Sequence, residues 1–261
     1  MHSSNPSTYP AKPEQVYFFG TCLVDTIYPE AGLAAVELME REGVQVIYPM
    51  AQTCCGQPPF NSGYWEEGRV VAAAQMALFP KPIPVVVPSG SCAAMMHGHY
   101  PHLFQDGRDD EQAAQAREFA ARVFEWSDFM LNVLAVRLQD QGPPVKVTYH
   151  PSCHLLREMG VREAPVRLLE QLGQVTYVPL PEAEECCGFG GTFSVKHSDI
   201  SWAMVEDKRR TVAESGAEVL VSMDCGCLMQ IGGAMAKAGQ NTRVIPLPQF
   251  LRQRTMEGAN P

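Results

Sequence analysis

The sequence predicts an α/β protein made of two duplicated β-α-β cysteine-rich domains with parallel sheets. Over the 261 residues, short apolar runs alternate with segments of helical periodicity, a pattern typical of α/β units. Cysteines follow most of the predicted strands, and the same order of strands, helices and cysteines occurs twice. A repeat of this length indicates duplication of a whole domain rather than a solenoid.

The first domain is predicted to span 15–142, after a polar, Pro- and Ser-rich segment at 1–14 that predicts a short flexible tail. Pro29 suits the first turn of a helix and Gly43 suits the position just after its end. Apolar runs and helical periodicity predict three strands and three helices: strands at 15–20, 44–48 and 85–87, and helices at 29–42, 66–78 and 111–139.

The second domain is predicted to span 143–261, with the pair Pro143-Pro144 marking the boundary near 142. It repeats the order of the first domain: strands at 145–149, 174–178, 219–221 and 243–247, and helices at 164–172 and 200–215, with a short helix near the C-terminal end. The carboxyl ends of parallel strands meet at one edge of a sheet, so each domain predicts a site at that edge.

Composition excludes several classes of protein. The formal net charge is −9 and the sequence pI is about 5.3, whereas nucleic-acid-binding domains usually carry a basic patch. We therefore expect no nucleic-acid partner. No stretch reaches the roughly 18 apolar residues of a transmembrane helix, so direct membrane insertion is not expected. The N-terminal residues lack a secretory pattern, which predicts a cytoplasmic protein.

The nine cysteines form two similar arrays. Structural disulfides are not expected in a cytoplasmic chain, because the cytosol keeps thiols reduced. An odd number of cysteines would also leave at least one of them unpaired. A lone cysteine often packs as a small hydrophobe, but that role does not explain two copies of one array. In each half a single cysteine precedes a Cys-Cys-Gly word, and one or two cysteines follow it: Cys22, Cys54, Cys55 and Cys92, then Cys153, Cys186, Cys187, Cys225 and Cys227.

All nine cysteines are therefore candidate metal ligands. Thiolates are soft ligands that suit iron–sulfur clusters, zinc and Cu(I). Short knuckles typical of structural zinc are missing, and four cysteines gathered from three loops match an iron–sulfur cluster better. The sequence predicts one or two clusters of the [4Fe–4S] type, with zinc as the alternative in one half.

Histidines near the second array offer further donors. His150 and His154 flank Cys153 and are candidate ligands or hydrogen-bond donors, although capping or core hydrogen bonding is the more common role of such residues. A nucleophilic Cys153-His154 pair would leave the other cysteines unexplained. No catalytic residue is assigned.

Four words around the cysteines resemble the CCG cysteine-rich family, whose domain also occurs in heterodisulfide reductase and in the iron–sulfur subunit of glycolate oxidase. They are similar to the lactate-utilization members of that family, and the resemblance covers about 15–252. These words are CCGQPPFNSG at 54–63, PSGSCAAM at 88–95, CCGFGGTFSVK at 186–196 and DCGCLM at 224–229.

The resemblance implies an iron–sulfur electron-transfer subunit of a complex that oxidises L-lactate to pyruvate. It implies partner subunits of that complex, and a subunit of an oxidoreductase rather than a stand-alone enzyme. Two alternatives stay open: a thiol/disulfide redox subunit of the heterodisulfide-reductase type, and a zinc-stabilised scaffold subunit.

The family motif ends in Cys-x-x-Cys, and five cysteines can then hold a non-cubane [4Fe–4S] cluster. Met95 stands at the last position in the first half, whereas the second half has Cys225 and Cys227 separated by one residue. The resemblance thus allows a five-cysteine cluster in the second half and a four-cysteine cluster, zinc or nothing in the first. Whether Cys225 or Cys227 is the ligand stays open.

Overall fold

The computed structural model describes residues 9–105 and 109–256, so residues 1–8 of the predicted tail and 257–261 of the second domain lie outside it. We call 15–142 the first half and 143–261 the second half. The strands of the first half are β1 (Gln15–Phe18), β2 (Gln45–Ile47), β3 (Val85–Val87) and β4 (Val123–Glu125). Its α-helices are α1 (Cys22–Thr26), α2 (Pro29–Arg41), α3 (Gln57–Asn61), α4 (Trp65–Met76), α5 (Gly90–Ala94), α6 (Tyr100–Leu103), α7 (Asp110–Ala121) and α8 (Trp126–Asp128), with π-helical turns at Met95–His99 and Phe129–Val133.

The second half repeats this organisation. Its strands are β5 (Val145–Tyr149), β6 (Val175–Tyr177), β7 (Val219–Ser222) and β8 (Arg243–Pro246). Its helices are α9 (Cys153–Arg157), α10 (Ala164–Glu170), α11 (Thr192–Lys196), α12 (Ser198–Ser215), α13 (Cys225–Lys237) and α14 (Leu247–Thr255).

Each half contains one parallel four-stranded sheet, and the two sheets share one topology. The strand order is β2-β1-β3-β4 in the first half and β6-β5-β7-β8 in the second. The central strands β3 and β7 are buried along their whole length, as expected for strands covered by helices on both faces. The predicted α/β fold with two duplicated cysteine-rich units and parallel sheets is confirmed.

One predicted element is wrong. The segment 111–139 is not one helix, because α7 ends at Ala121 and the chain then forms strand β4. β4 pairs in parallel with β3 and completes the first sheet. Its residues Val123 and Glu125 are buried. The strand therefore pairs with the edge of β3, which a longer helix would leave unpaired.

Four helix starts position the cysteines after the strands. The side chains of Thr21 and Ser152 cap α1 and α9, so that Cys22 and Cys153 each begin a helix. Ser89 and Asp224 cap α5 and α13 in the same way. Such caps fix the first turn because the side-chain oxygen accepts a hydrogen bond from an otherwise unpaired backbone N–H.

The two halves pack on a common core. A single cluster of buried apolar side chains includes residues of both sheets, such as Val16, Val86, Val147 and Ile245. The C-terminal helix α14, which belongs to the second half, packs on α2 of the first half. The halves therefore have a fixed relation, and this relation determines where their cysteine-bearing edges meet.

Candidate metal site

All nine cysteines line one cavity at the junction of the two halves. The cavity has a volume of about 190 Å³ and lies at the carboxyl ends of the strands. The prediction that strand ends would gather the cysteines holds within each half, and the packing of the halves brings both arrays to the same space. All nine are free thiols: Cys22, Cys54, Cys55, Cys92, Cys153, Cys186, Cys187, Cys225 and Cys227.

The first half contributes a group of four interacting thiols, which we call the first group: Cys22, Cys54, Cys55 and Cys92. The interaction with Cys54, together with burial, raises the pKa of the Cys22 thiol. Interactions with Cys22 and Cys55 hold the pKa of the Cys54 thiol far below its ordinary value, against the opposing effect of burial. Cys55 interacts in turn with Cys92. The four sulfurs are therefore neighbours, and Cys54 is the one favoured as a thiolate.

The second half contributes an equivalent group, which we call the second group: Cys153, Cys186, Cys187 and Cys227. The Sγ atoms of Cys187 and Cys227 are 3.1 Å apart. Interactions with Cys153 and Cys187 lower the pKa of the Cys186 thiol, so this residue plays the part of Cys54. The backbone N–H of Gly188 donates to Cys186 Sγ over 3.4 Å. A donor aimed at a sulfur is an interaction that tunes a bound metal centre.

The glycine of each Cys-Cys-Gly word has a backbone conformation that other residues rarely adopt. Gly56 has φ +85° and Gly188 has φ +81°. A Cβ on Gly188 would lie 2.6 Å from the carbonyl oxygen of Ser201, which is closer than real side chains approach. The turn after each cysteine pair therefore favours glycine.

The helix caps show which cysteine of the second half corresponds to Cys92. Cys92 is the third residue of α5 after its cap Ser89, and Cys227 is the third residue of α13 after its cap Asp224. Cys225 therefore corresponds to Gly90. Asp224 also accepts hydrogen bonds from the first half, from the Ser91 N–H at 3.0 Å and the Ser89 hydroxyl at 3.3 Å.

Cys225 lies between the two groups. It is 4% exposed, and burial together with the nearby charges of Asp224, Cys92 and Cys227 raises the pKa of its thiol. Its thiolate charge also contributes to the raised pKa of Tyr28, a residue of the first half. Helix α13, which begins at Cys225, contacts α1 of the first half. Cys225 is thus placed beside both arrays.

His150 reaches the second group without a protein partner for its ring. It is 0% exposed, and neither ring nitrogen finds a hydrogen-bond partner among the described residues. One ring nitrogen lies within 4.8 Å of the sulfurs of Cys187 and Cys227. Burial, and then the charge of Lys208, lower the pKa of His150 to about 3, so the ring is neutral at pH 7. The expected capping or core hydrogen bonding is therefore wrong for His150.

His154 behaves differently from His150. Its Nδ1 lies 3.6 Å from Cys153 Sγ, and its Nε2 lies 3.7 Å from a carboxylate oxygen of Glu158. The carboxylate of Glu158 also lies 2.8 Å from Nε2 of His99, a residue of the first half. His154 thus takes part in a polar contact at the rim of the cavity, and its ring has protein partners.

Lys208 is a residue near the site that the sequence did not single out. It is 1% exposed, and its Nζ donates to the backbone oxygens of Glu182 at 2.7 Å and Ala183 at 3.4 Å. Burial lowers its pKa, while the thiolates of Cys186 and Cys187 act in the opposite direction. A lysine within a helix gives no sequence signal of such burial, because the partners are backbone atoms of a distant loop.

The donor set fits a thiolate-bound metal centre. Each half gathers four sulfurs from three separate segments of the chain, and such a set suits an iron–sulfur cluster or zinc. Leaving a polar ring atom buried without a hydrogen bond costs about 1–3 kcal/mol, so the two free nitrogens of His150 also call for a partner. The cysteine groups, together with the His150, Cys187 and Cys227 set, are compatible with metal or iron–sulfur binding.

The helices bear on the expected lack of direct membrane insertion. Within residues 9–105 and 109–256, no helix is both long enough and apolar enough to cross a membrane.

A solved structure of low sequence identity shares the fold. It is described as the crystal structure of a hypothetical protein from Helicobacter pylori and superposes with a TM-score of 0.64 at 12% identity. The superposition covers 98% of this chain and 52% of that chain, so this chain spans about half the length of that protein. At this identity the likeness concerns the fold alone.

Sequence comparisons agree with the duplicated architecture. The family model described as "Cysteine-rich domain" (CCG) matches twice, at residues 16–97 and 147–232. Lactate utilization protein A of Geobacillus kaustophilus is 47% identical over 92% of this chain and 99% of its own length. Lactate utilization protein A of Bacillus subtilis is 44% identical over 92% of this chain and 100% of its own length. The chain therefore belongs to the CCG cysteine-rich domain family and is a homologue of Lactate utilization protein A.

Proposed function

We propose that the protein is an iron–sulfur electron-transfer subunit of a complex that oxidises L-lactate to pyruvate. The observation that carries this proposal is the convergence of two groups of four thiols on one cavity. Cysteine thiolates gathered in fours from separate loops are the usual ligands of iron–sulfur clusters.

We assign one metal centre to each half. The first group would hold one centre and the second group the other, while Cys225 is a ninth thiol between them. A bound cluster would supply reversible one-electron storage. The fold would keep water from the buried cysteines Cys55, Cys92, Cys187 and Cys227, whereas the other four cysteines of the two groups are half-buried.

The shared cavity favours electron transfer between the two groups. Asp224 caps the helix that carries Cys227 and also accepts hydrogen bonds from Ser89 and Ser91 beside Cys92. The two cysteine-bearing helices are thus fixed to one another through a single carboxylate. Electrons that enter one half would have a short path to the other.

The substrate and the partners are proposed from the relatives. Several proteins named Lactate utilization protein A are 43–47% identical over nearly their whole length. We therefore propose that partner subunits recognise and oxidise lactate, and that this chain accepts the electrons and passes them on. The cytoplasm is the compartment that fits nine free thiols.

Zinc is the second candidate occupant. The set of His150, Cys187 and Cys227 has the ligand types of a structural zinc site. A zinc-stabilised scaffold and a thiol/disulfide redox subunit are therefore the alternatives that an experiment must separate from electron transfer.

Metal analysis tests the proposal. The full chain is purified without oxygen, and iron, acid-labile sulfide and zinc are measured on one sample, with EPR spectra recorded before and after reduction. The proposal expects iron and sulfide in equal amounts and a spectrum that appears on reduction. Zinc without iron, even after reconstitution with iron and sulfide, would favour the scaffold.

A growth assay tests the lactate assignment. The gene is introduced into a bacterium that lacks its own Lactate utilization protein A, and growth on L-lactate is compared with growth on glucose. We expect rescue on lactate by the unaltered chain and none by Cys54→Ser. Equal rescue by both would argue against a metal-dependent role.

A further inference from the structure

The ring of His150 lies beside the second group and has no hydrogen-bond partner among the described residues. The backbone of His150 is tied on both sides: its N–H donates to the Val221 oxygen at 2.9 Å, and its oxygen accepts from the Ser222 hydroxyl at 2.8 Å. The side chain is completely buried, and both ring nitrogens lack hydrogen bonds in the part of the chain that the structure describes. A fixed, buried and unpaired imidazole is suited to bind something that the protein itself does not supply.

The sulfurs of the second group are the nearest metal-binding atoms. A ring nitrogen of His150 and the Sγ atoms of Cys187 and Cys227 all lie within 4.8 Å of one another. These two sulfurs come from different segments: Cys187 lies in the loop after β6, and Cys227 lies in the first turn of α13. The imidazole therefore lies beside two of the four sulfurs of the second group, close enough for one metal ion to contact all three atoms.

The position equivalent to His150 in the first half carries a side chain without a donor atom. The register of the strands pairs Phe18 with Val86 in the first sheet and Tyr149 with Val221 in the second, so Phe19 occupies the position of His150. Phe19 is also completely buried, and its ring packs 6.2 Å from that of Phe79. The duplicated fold thus carries an apolar ring at this position in one half and an imidazole in the other.

We propose that a ring nitrogen of His150 binds directly to the metal centre of the second group, and that the centre of the first group lacks any histidine ligand. This inference rests on the proposed function and deepens it. The two centres would then differ in ligand chemistry, and a mixed sulfur and nitrogen set gives an iron–sulfur centre a redox potential unlike that of an all-sulfur set.

Pulsed EPR on the reduced full chain tests the inference. The chain is purified without oxygen from cells fed either ordinary or ¹⁵N-labelled histidine, so no substitution is needed. We expect a strong nitrogen coupling, of the kind given by a directly bound imidazole, and its replacement by the ¹⁵N pattern in the labelled sample. Only one of the two centres should show it.

Two variants assign the nitrogen to a position. His150→Gln should remove the coupling, whereas His154→Gln should keep it, because His154 has Cys153 and Glu158 as partners. His154→Gln is the matched control, since it removes a histidine that lines the cavity beside Cys153 of the same group. Loss of the coupling in His154→Gln alone would overturn the assignment to His150.

The outcomes separate this inference from the proposed function. Iron and sulfide present with no histidine coupling, or with only the weak coupling of a hydrogen-bonded imidazole, would overturn direct binding by His150 and leave the iron–sulfur proposal standing. A chain without iron after reconstitution would overturn both. If His150→Gln does not fold, the labelled unaltered chain still decides the question.

Discussion

Cys225 and Cys227 both lie on α13, but at different distances from its first residue. We infer from this difference which of the two belongs to the second group. Cys227 stands three residues after the cap Asp224, as Cys92 stands three residues after Ser89. Cys225 takes the place of Gly90. Repeated helix starts place equivalent side chains in equivalent directions, so Cys227 is the expected member of the second group.

This equivalence predicts different effects of two serine substitutions. Cys227→Ser should weaken or remove the centre of the second half and lower the iron content by up to about half, because the variant lacks one of the four thiolates assigned to that centre. Cys225→Ser should retain most of the iron. Iron and sulfide analysis of anaerobic samples measures both. Equal losses in the two variants would contradict the assignment.

The glycine of the second Cys-Cys-Gly word predicts a stability effect. Gly188→Ala should destabilise the fold by about 2 kcal/mol or more, because alanine is strained at φ +81° and its Cβ would press against the Ser201 carbonyl oxygen. Urea unfolding measures the change. Gly233→Ala, at a position in α13 where the structure describes no atom within 4 Å outside that helix, is the control and should stabilise by roughly 0.5–1 kcal/mol.

The candidate ligands could be predicted from the sequence where the spacing of the cysteines repeats. The repeat of the arrays identified all nine cysteines that line the cavity. It could not separate Cys225 from Cys227, because the difference depends on where α13 begins. It also could not show that His150 is unpaired, since this follows from the burial of its ring by distant elements.

At the scale of the elements, β4 is notable because its last residue is a buried carboxylic acid, which is unfavourable in its charged form. It ends at Glu125, whose carboxylate is fully buried and caps the short helix α8 by accepting from Ser127 and Asp128. Burial, only partly opposed by these hydrogen bonds, raises the pKa of Glu125 to about 7. Its second oxygen, Oε1, has no partner among the described residues.

The raised pKa predicts a pH-dependent stability. Between the ordinary value of 4.5 and about 7 the folded state binds the proton more tightly than the unfolded state, so this group's contribution falls as pH rises through that window. Glu125→Gln should lack the loss, and its stability relative to the unaltered chain should rise by about 3 kcal/mol between pH 4 and 8.

Urea unfolding at a series of pH values measures this difference. The comparison is made on metal-loaded samples, so that the cysteines contribute equally to both chains. Parallel stability curves for the two chains across the window would show that Glu125 is ionised in the folded protein.

The seven predicted strands and the helices predicted at 29–42, 66–78, 164–172 and 200–215 are present, whereas β4, α13 and the short helices that begin at cysteines were not predicted. The predicted strands at 85–87 and 145–149 coincide with β3 and β5. The helix predicted at 111–139 was wrong because the buried residues Phe119, Val123, Trp126 and Met130 continue a helical spacing through the break. No glycine or proline marks the end of α7, and β4 has only three residues, too few to show an alternating pattern.

At the scale of the whole molecule, the C-terminal helix ties the second half to the first. Arg252 on α14 donates to Glu37 on α2 over 2.5 Å. Arg254 on the same helix forms a buried ion pair with Asp140, in the connection between the halves, with a nitrogen–oxygen distance of 2.7 Å. Although burial opposes it, the hydrogen bonds from Arg254 lower the pKa of Asp140.

Breaking this pair should destabilise the protein strongly. Arg254→Gln would leave the buried carboxylate of Asp140 without its cation, which costs about 3–5 kcal/mol. The loss should shrink as pH falls below the ordinary range of an aspartate, since Asp140 then becomes neutral. Thermal or urea unfolding measures it.

An exposed ion pair provides the control. Arg162 lies 2.9 Å from Glu184, and both side chains are more than half exposed. Arg162→Gln should change the stability by less than about 1 kcal/mol. Similar losses in the two variants would mean that α14 and the connection at Asp140 do not hold the halves together.

The position of the two halves relative to one another could not be predicted from the sequence. The duplication predicted one site at the edge of each sheet, because topology alone brings strand ends together. It did not predict that both edges would face one cavity, which depends on the shared core and on contacts such as that of Asp224 with Ser91. These two residues are 133 positions apart, and no local pattern encodes their contact.

The account depends most on whether the two groups of four thiols each hold an iron–sulfur centre. Iron and acid-labile sulfide, measured per chain on an anaerobically purified and reconstituted sample, test this directly. The account predicts about eight of each, from two clusters of the [4Fe–4S] type. A folded chain that takes up no iron, or that holds only zinc, would contradict it.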